Sequence, residues 1–353
     1  MTKPEAATGS MERVAYLVLG MHRSGTSATA QLLALAGAHL PQNVMPGDEH
    51  NVQGYFEPWK IAVFNDRRLR AGGGAWDDVF AYPHRPLPRR KERGWLNQAA
   101  ALFTEEFGEA RRPLLKDPRV TVLLPFWRSV FDDLEIAPRC VISVRHPFAV
   151  AGSLARRDGF PVEKSLLLWS AYMLAAEAYT RDLPRAFAGY DQMLADWRSE
   201  LARMEALLGP GGLPPLSKTA ARAIDRMLSA DLRHNDGAPD LSAYGWAGEL
   251  TEQVWAWFAD AAAGRPPAAD ALEAAAAELA RRSRDVGVLV SPVTRDLDAA
   301  RAELHDLRLA TAIARDEIRQ LDAERKALGE HIEALWRDRA QAEALIDSIL
   351  ARG

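Results

Sequence analysis

The stretch Val14 to Ser27, VAYLVLGMHRSGTS, holds the residues best spaced for chemistry. An apolar run, Val14 to Leu19, ends in Gly20. Met21-His22-Arg23-Ser24-Gly25-Thr26-Ser27 then leads into a helix-like segment, Ala28 to Ala36. A buried strand, a tight glycine turn and a helix N-terminus present backbone N–H groups and a helix dipole to phosphate-like anions. The spacing is close to a Walker A loop, G-x-x-x-x-G-K-[ST]. Gly20, Gly25 and Ser27 fit, but Thr26 stands at the lysine position, and the basic residue is Arg23. That lysine reaches the β- and γ-phosphates of a nucleoside triphosphate. Without it the loop suits a smaller anionic group linked to one phosphate.

A second apolar strand, Arg139 to Arg145, ends in Arg145-His146-Pro147, and a helix-like segment follows, with Ser153 eight residues after Arg145. An arginine at a strand's C-terminal end offers a bidentate fork to phosphate. Ser153 lies about two helical turns along and adds a hydroxyl only to a ligand that runs beside that helix. Together the two motifs resemble those of the sulfotransferases that use 3′-phosphoadenosine 5′-phosphosulfate (PAPS). The 5′-phosphosulfate loop of that family runs basic residue, Ser-Gly-Thr, then Thr or Ser, as Arg23 to Ser27 do. Its 3′-phosphate is held by an arginine and a serine, also eight apart. The resemblance covers roughly residues 13–235.

That resemblance implies roles for further residues. Leu115-Lys116-Asp117-Pro118-Arg119 is similar to a Lys-Asp-Pro of the membrane-bound tyrosylprotein branch, whose lysine lies near the sulfuryl group. Lys116 in that place would neutralise charge on the bridging oxygen as the S–O bond breaks. Glu57, in Gly54-Tyr55-Phe56-Glu57-Pro58, matches the glutamate of Golgi-type members and is the candidate base. Partial burial beside aromatic residues would raise its pKa, and the dipole of the helix it opens would lower it. His22, Asp48 and His84 are the other candidates; His22, inside the loop, fits a hydrogen-bond donor to the anion. Tyr190-Asp191 resembles a Tyr-Glu or Tyr-Asp near the nucleotide. The cytosolic branch closes over the 3′-phosphate with a C-terminal Arg-Lys-Gly…Gly-Asp-Trp segment, which is missing here; Leu232-Arg233-His234 is a candidate substitute. The chain therefore reads as a bacterial member closer to the Golgi and tyrosylprotein types.

Composition is that of a globular protein: 353 residues, 48% hydrophobic, net charge −4. No whole-chain field favours nucleic acid or an anionic membrane. No apolar run approaches the roughly 20 residues of a membrane span, and no secretory signal is visible, so a cytoplasmic setting is expected. The one cysteine, Cys140, lies in an apolar strand and reads as core. Zinc-ligand clusters are absent, and no metal is expected.

The elements needed to position these residues follow a pattern of alternating strands and helices. Strands are expected at Val14–Leu19, Pro113–Lys116, Arg139–Arg145 and Arg185–Gly189, with helices over Phe56–Leu69, Lys91–Ala110, Thr121–Leu134 and Val162–Asp182. Asp191 is placed as the cap of the helix after the last strand. The fold class is α/β: a P-loop-like, doubly wound parallel sheet flanked by helices, with ligands at the strands' C-terminal ends. Ala71 to Arg90 is a long irregular stretch. Trp59, Trp76, Tyr82 and Trp95 offer stacking faces for an acceptor.

Residues 1–12 read as a disordered N-terminus and 13–285 as the PAPS-binding domain. Gly287 to Pro292 reads as a break. Beyond it Val293, Ala300, Leu307, Ala314, Leu321, Leu328, Leu335, Ala342 and Ile349 recur every seven residues. Leu297, Leu304, Ile318, Ile332 and Ile346 form a second series four residues after the first, interrupted by Thr311, Arg325 and Arg339. Residues 293–350 thus read as a coiled-coil helix of about eight heptads, about 85 Å long. Such a helix pairs with a second copy or another protein, or folds back on its own domain.

The leading function is transfer of the sulfuryl group from PAPS to a hydroxyl or amine acceptor, with a carbohydrate preferred. A P-loop kinase or NTPase is the alternative, against which Thr26 and Arg145 stand. A non-catalytic nucleotide-binding coiled-coil scaffold is the third reading.

Overall fold

Six consecutive apolar residues, Val14–Leu19, are buried on both faces and form β1, an inner strand of the sheet. In this computed structural model residues 13–47, 54–209, 213–228, 240–265, 267, 268 and 270–350 are described. Residues 1–12, Asp48 and Leu232-Arg233-His234 lie outside the described residues. The chain falls into two compact units, Met1–Arg295 and Asp296–Gly353.

In the first unit β1 is followed by α1 (Thr26–Leu35), α2 (Trp59–Ala71) and α3 (Arg89–Phe107). Next come β2 (Leu114–Lys116), α4 (Arg119–Val122), α5 (Leu124–Asp133) and β3 (Ala137–Val144). Then follow α6 (Pro147–Asp158), α7 (Val162–Thr180), β4 (Arg185–Gly189), α8 (Tyr190–Ala195) and α9 (Trp197–Leu208). Further helices among the described residues are α10 (Lys218–Met227), α11 (Gly245–Ala262), α12 (Glu273–Arg282) and α13 (Val288–Leu350), the last continuing into the second unit.

All neighbouring strands are parallel, in the order β2-β1-β3-β4. Alternation along β1 feeds two cores. Ala15, Leu17 and Leu19 pack with residues of α5, α7 and α11, while Val14, Tyr16 and Val18 pack with residues of α1, α9 and α10. Helices thus cover both faces, as the run of apolar strands requires. The chain leaves β1 to reach β2 on one side and β3 on the other, so the crevice between β1 and β3 is a topological switch point, where open α/β sheets bind ligands.

Several expected boundaries move. The helix expected over Phe56–Leu69 starts at Trp59, so Glu57 lies before it and Pro58 occupies the N-cap. The helix expected over Thr121–Leu134 is two helices joined at Leu123, with Pro125 in the first turn of the second, where its missing N–H costs nothing. Asp191 is not a cap. α8 begins at Tyr190, two residues earlier than a cap at Asp191 would set it, with Gly189 at its N-cap, and Asp196 caps α9 through the Arg198 and Ser199 amides.

The break expected at Gly287 to Pro292 is also absent. A π-helical turn, Ser283–Gly287, leads directly into α13, and Pro292 lies inside that helix. Gly287 has a packing reason to be there. Gly287 is buried, and a Cβ on it would touch Ser283 Oγ at 3.0 Å and the Phe80 ring at 3.5 Å. Ser291, also buried, accepts a hydrogen bond from Arg85. A π turn re-routes the local ladder next to the bond that proline cannot make.

The second unit, Asp296–Gly353, is helical through Leu350. Its heptad-spaced leucines and isoleucines from Leu297 to Ile346 are exposed, from Leu297 at 45% to Leu321 at 63%.

Candidate active site

The β1–β2 register sets Val18 beside Lys116, and the β1–β3 register sets Leu19 beside Ile142. The turn after β1 therefore lies between the end of β2 and the end of β3. Gly20 adopts φ +129°, and a Cβ there would come within 2.9 Å of the Ser143 carbonyl. Its amide donates to Thr121 Oγ1 at 2.9 Å, and that hydroxyl donates back to the Gly20 carbonyl at 3.2 Å. Gly25, at φ +85°, is the N-cap of α1, and a side chain there would collide with the Tyr190 ring. No side chain caps α1. Its first amides are directed at the turn, as an anion site requires.

The two motifs meet. Arg23 takes the left-handed conformation at φ +68°, which is uncommon outside glycine. Its Nε donates to Ser153 Oγ at 2.8 Å, and its carbonyl accepts from Arg145 Nη1 at 3.1 Å. The Arg145 guanidinium lies 4.5 Å from the Tyr190 ring centroid. Arg23, Arg145, Ser153 and Tyr190 are thus one cluster. Burial pushes the Arg145 guanidinium below its usual pKa, with Tyr190 and Asp191 opposing. Burial likewise raises the Tyr190 phenol. Among the described residues, three buried polar atoms here have no hydrogen-bond partner: Ser24 Oγ, His22 Nε2 and Arg145 Nε.

Across the turn, Lys116 rises from the end of β2 with its side chain 2% exposed. Its ammonium donates to Glu57 at 2.5 Å, to the Tyr55 carbonyl at 2.9 Å and to Ser27 Oγ at 3.4 Å. Glu57 Oε2 also lies 3.5 Å from Arg119. Arg119 donates in turn to Asp66 at 2.5 Å and Asp117 at 2.9 Å. Asn65 bonds Asp117 at 2.8 Å and is itself held by the Trp127 indole. Burial works against the Arg119 charge, but Asp66, Asp117 and Glu57 outweigh it, and its pKa stands well above the usual value. Thr26, the residue at the Walker lysine position, is buried at the start of α1. A lysine does reach the loop, but from the adjacent strand.

His22 is buried beneath Trp76, ring centroids 4.7 Å apart. Burial, then Arg119, Arg157, Lys116 and Arg23, hold its pKa well below the usual range, so the imidazole is neutral. Trp76 stacks on Phe160 at 5.8 Å, with the Arg157 guanidinium 5.4 Å from its ring. The other stacking candidates lie elsewhere. Tyr82 packs on Tyr179, and Trp95 on Phe64. Trp59 is exposed on α2. His84 belongs to the surroundings of Arg68 and Glu92, and burial lowers its pKa to about 4. Cys140 is core, its thiol pushed up to about 12 by burial.

Sequence reading missed Arg119, Arg157 and the Tyr55 carbonyl. Arg119 closes the Lys-Asp-Pro-Arg string and had a positional signal. Arg157 stands one helical turn after Ser153 on α6, so the periodicity of that helix pointed to it. Tyr55 acts through its backbone, for which no side-chain signal exists.

No protein-family model matches the chain, and no curated protein matches it. Among solved structures the chain is similar to the sulfotransferase domain of the olefin synthase of Synechococcus PCC 7002. That likeness has 17% sequence identity and a TM-score of 0.37, over 73% of this chain and 98% of the other. Among the described residues there is no cluster of His, Cys, Asp or Glu that could hold a metal ion. No described helix is long and apolar enough to cross a membrane.

Proposed function

We propose that the chain is a sulfotransferase that moves the sulfuryl group of PAPS to a hydroxyl or amine, with a carbohydrate as the preferred acceptor. The observation that carries this reading is the set of unpartnered buried groups, Ser24 Oγ, His22 Nε2 and Arg145 Nε, around a turn that lacks the Walker lysine. Leaving buried donors unmet costs about 1–3 kcal/mol each, and more for a charged group. An anion with several oxygens relieves that cost.

In this reading the amides of the turn, with Arg23, Ser24, Thr26 and Ser27, hold the 5′-phosphosulfate, and Gly25 lets it approach the backbone. Arg145 and Ser153 hold the 3′-phosphate, with Tyr190 as the face on which the arginine rests. To do so both exchange their bonds to Arg23 for bonds to the nucleotide. The sulfuryl group passes in line from the bridging oxygen to the acceptor oxygen. Lys116, 3.4 Å from Ser27, neutralises the charge left on the bridging oxygen. Glu57 takes the acceptor's proton, and His22, neutral beside Trp76, is the second group able to do so. Sulfuryl carries less charge than phosphoryl, so the reading calls for no metal. The Trp76–Phe160 stack with Arg157 above it is the aromatic face offered to a sugar. The helix of residues 293–350 is the association element, and a cytoplasmic setting completes the reading.

Calorimetric titration with 3′-phosphoadenosine 5′-phosphate, and separately with ATP and magnesium, tests it. Micromolar binding of the first and none of the second is expected. The reverse would return the chain to the P-loop phosphotransferases.

A further inference from the structure

We infer that Asp296–Gly353 associates with a second copy of itself as a parallel, two-stranded coiled coil whose register is set by two buried arginines. The inference deepens the association part of the proposed function and does not depend on the nucleotide. In heptad terms the row containing Leu297 occupies a and the row containing Ala300 occupies d, because the step from the first to the second is three residues. Toward the C-terminus a carries Ile318 and Ile332, while d carries Leu321, Leu328 and Leu335. Isoleucine at a with leucine at d favours two strands. All five side chains are exposed in the single chain. That is an apolar stripe, broken at a by Arg325, without a covering surface among the described residues.

The charges choose both the occupant and its direction. The g row carries Asp296, Glu303, Glu317, Glu324 and Asp338, with no basic side chain other than His331. An antiparallel pairing sets g against g and opposes these acids. In a parallel pairing each g faces the partner's e five residues on. Asp296 then meets the partner's Arg301, and Glu303 meets the partner's Arg308. Two further parallel pairs are acidic on both sides: Glu317 with the partner's Asp322, and Asp338 with the partner's Glu343. At each of these an arginine occupies a. Arg325 contacts Asp322 of its own helix at 3.4 Å, and Arg339 contacts Glu343 at 2.8 Å. In a parallel pair the hole around each a residue includes the partner's preceding g, so Arg325 lies against the partner's Glu324 and Arg339 against the partner's Asp338. Every a arginine thus follows an acidic g and neutralises an acidic e. A polar a residue specifies register at a cost in stability. The same surface serves both chains, which is what a self-complementary partner needs.

The test uses the full chain. Sedimentation equilibrium at micromolar concentration is expected to give twice the 38.9 kDa chain mass. Leu321→Ala with Leu328→Ala is expected to raise the dissociation constant by roughly 100-fold or more. The near-ultraviolet circular dichroism of the first unit should stay unchanged. Orientation is read from single cysteines. Ala300→Cys alone and Ala342→Cys alone should each form disulfide-linked dimers, and the buried Cys140 does not interfere. A monomeric mass overturns the association. A dimer whose cysteines cross-link only when the two variants are mixed overturns the parallel arrangement. Neither result bears on the nucleotide titration.

Discussion

The Lys116–Glu57 pair offers the sharpest test of the site. Both side chains are nearly inaccessible, at 2% and 5%, and their charged atoms lie 2.5 Å apart. Breaking a buried pair by removing one partner costs about 3–5 kcal/mol, because the other charge is left uncompensated. Lys116→Met keeps the stem and removes the charge. Glu57 then retains Arg119 at 3.5 Å, so the lower end, about 3 kcal/mol, is expected. Glu57→Gln leaves the ammonium with neutral acceptors only, the new amide oxygen, the Tyr55 carbonyl and the Ser27 hydroxyl, and about the same loss is expected. The double variant has no orphaned charge, so it should be more stable than the sum of the two by about 2–3 kcal/mol. Urea unfolding followed by tryptophan fluorescence measures this. Nine of the ten tryptophans precede residue 296, so the signal reports the first unit. Additivity within about 0.5 kcal/mol would mean that the pair does not exist in the folded protein. On the chemistry, Lys116→Met should cost about 100- to 1,000-fold in turnover. Glu57→Gln should keep nucleotide binding and lose turnover; full activity would remove Glu57 as the base.

Other outcomes follow from the same geometry. Arg145→Ala should abolish binding of 3′-phosphoadenosine 5′-phosphate in calorimetry, and unchanged affinity would sink that assignment. Gly25→Ala should lose nucleotide binding and stability together; adding Tyr190→Ala relieves the collision but not the positive φ, so rescue should be partial. His22, His84 and His146 all have folded pKa values below the ordinary 6.5, so each binds its proton more readily when unfolded. Each contribution is therefore fully present above about pH 6.5 and is lost as pH falls below it, for His84 down to about pH 4, with a slope of up to about 1.4 kcal/mol per pH unit for each histidine. His84→Gln should make that slope shallower in urea titrations run across the window, and an unchanged slope would refute the burial of a neutral imidazole.

The sheet was legible because each strand is a short aliphatic run that stops at a glycine, a charged residue or a proline. The loop was legible because glycines are forced where φ is positive or backbones touch, as at Gly20 and Gly25. What failed was punctuation by Gly and Pro near the second unit. Gly287 looks like a stop in sequence, yet it is a position where a Cβ would crowd Ser283 and Phe80, and a residue's small size looks the same in sequence whichever reason holds. Asp191 failed similarly: an acidic residue near a helix start is a cap or a first-turn charge according to a backbone step of two residues. The network behind Lys116 was hidden for another reason. Asn65 and Asp66 come from α2 and Arg119 from α4, more than fifty residues later, and only the tertiary fold makes them neighbours.

The delivery of Lys116 by a strand has a consequence for how this site can vary. A lysine in the loop would follow the loop wherever it moved. Here the cation's place is dictated by the pairing of Val18 with Lys116 in a strand of three residues. A slip of one residue would turn Leu115 toward Ser27 and send the ammonium to the opposite face. Deleting or inserting a single residue in the turn before Leu114 would therefore disarm the site while leaving every residue of the loop in place. The length of that turn is as much a part of the chemistry as the identity of the lysine.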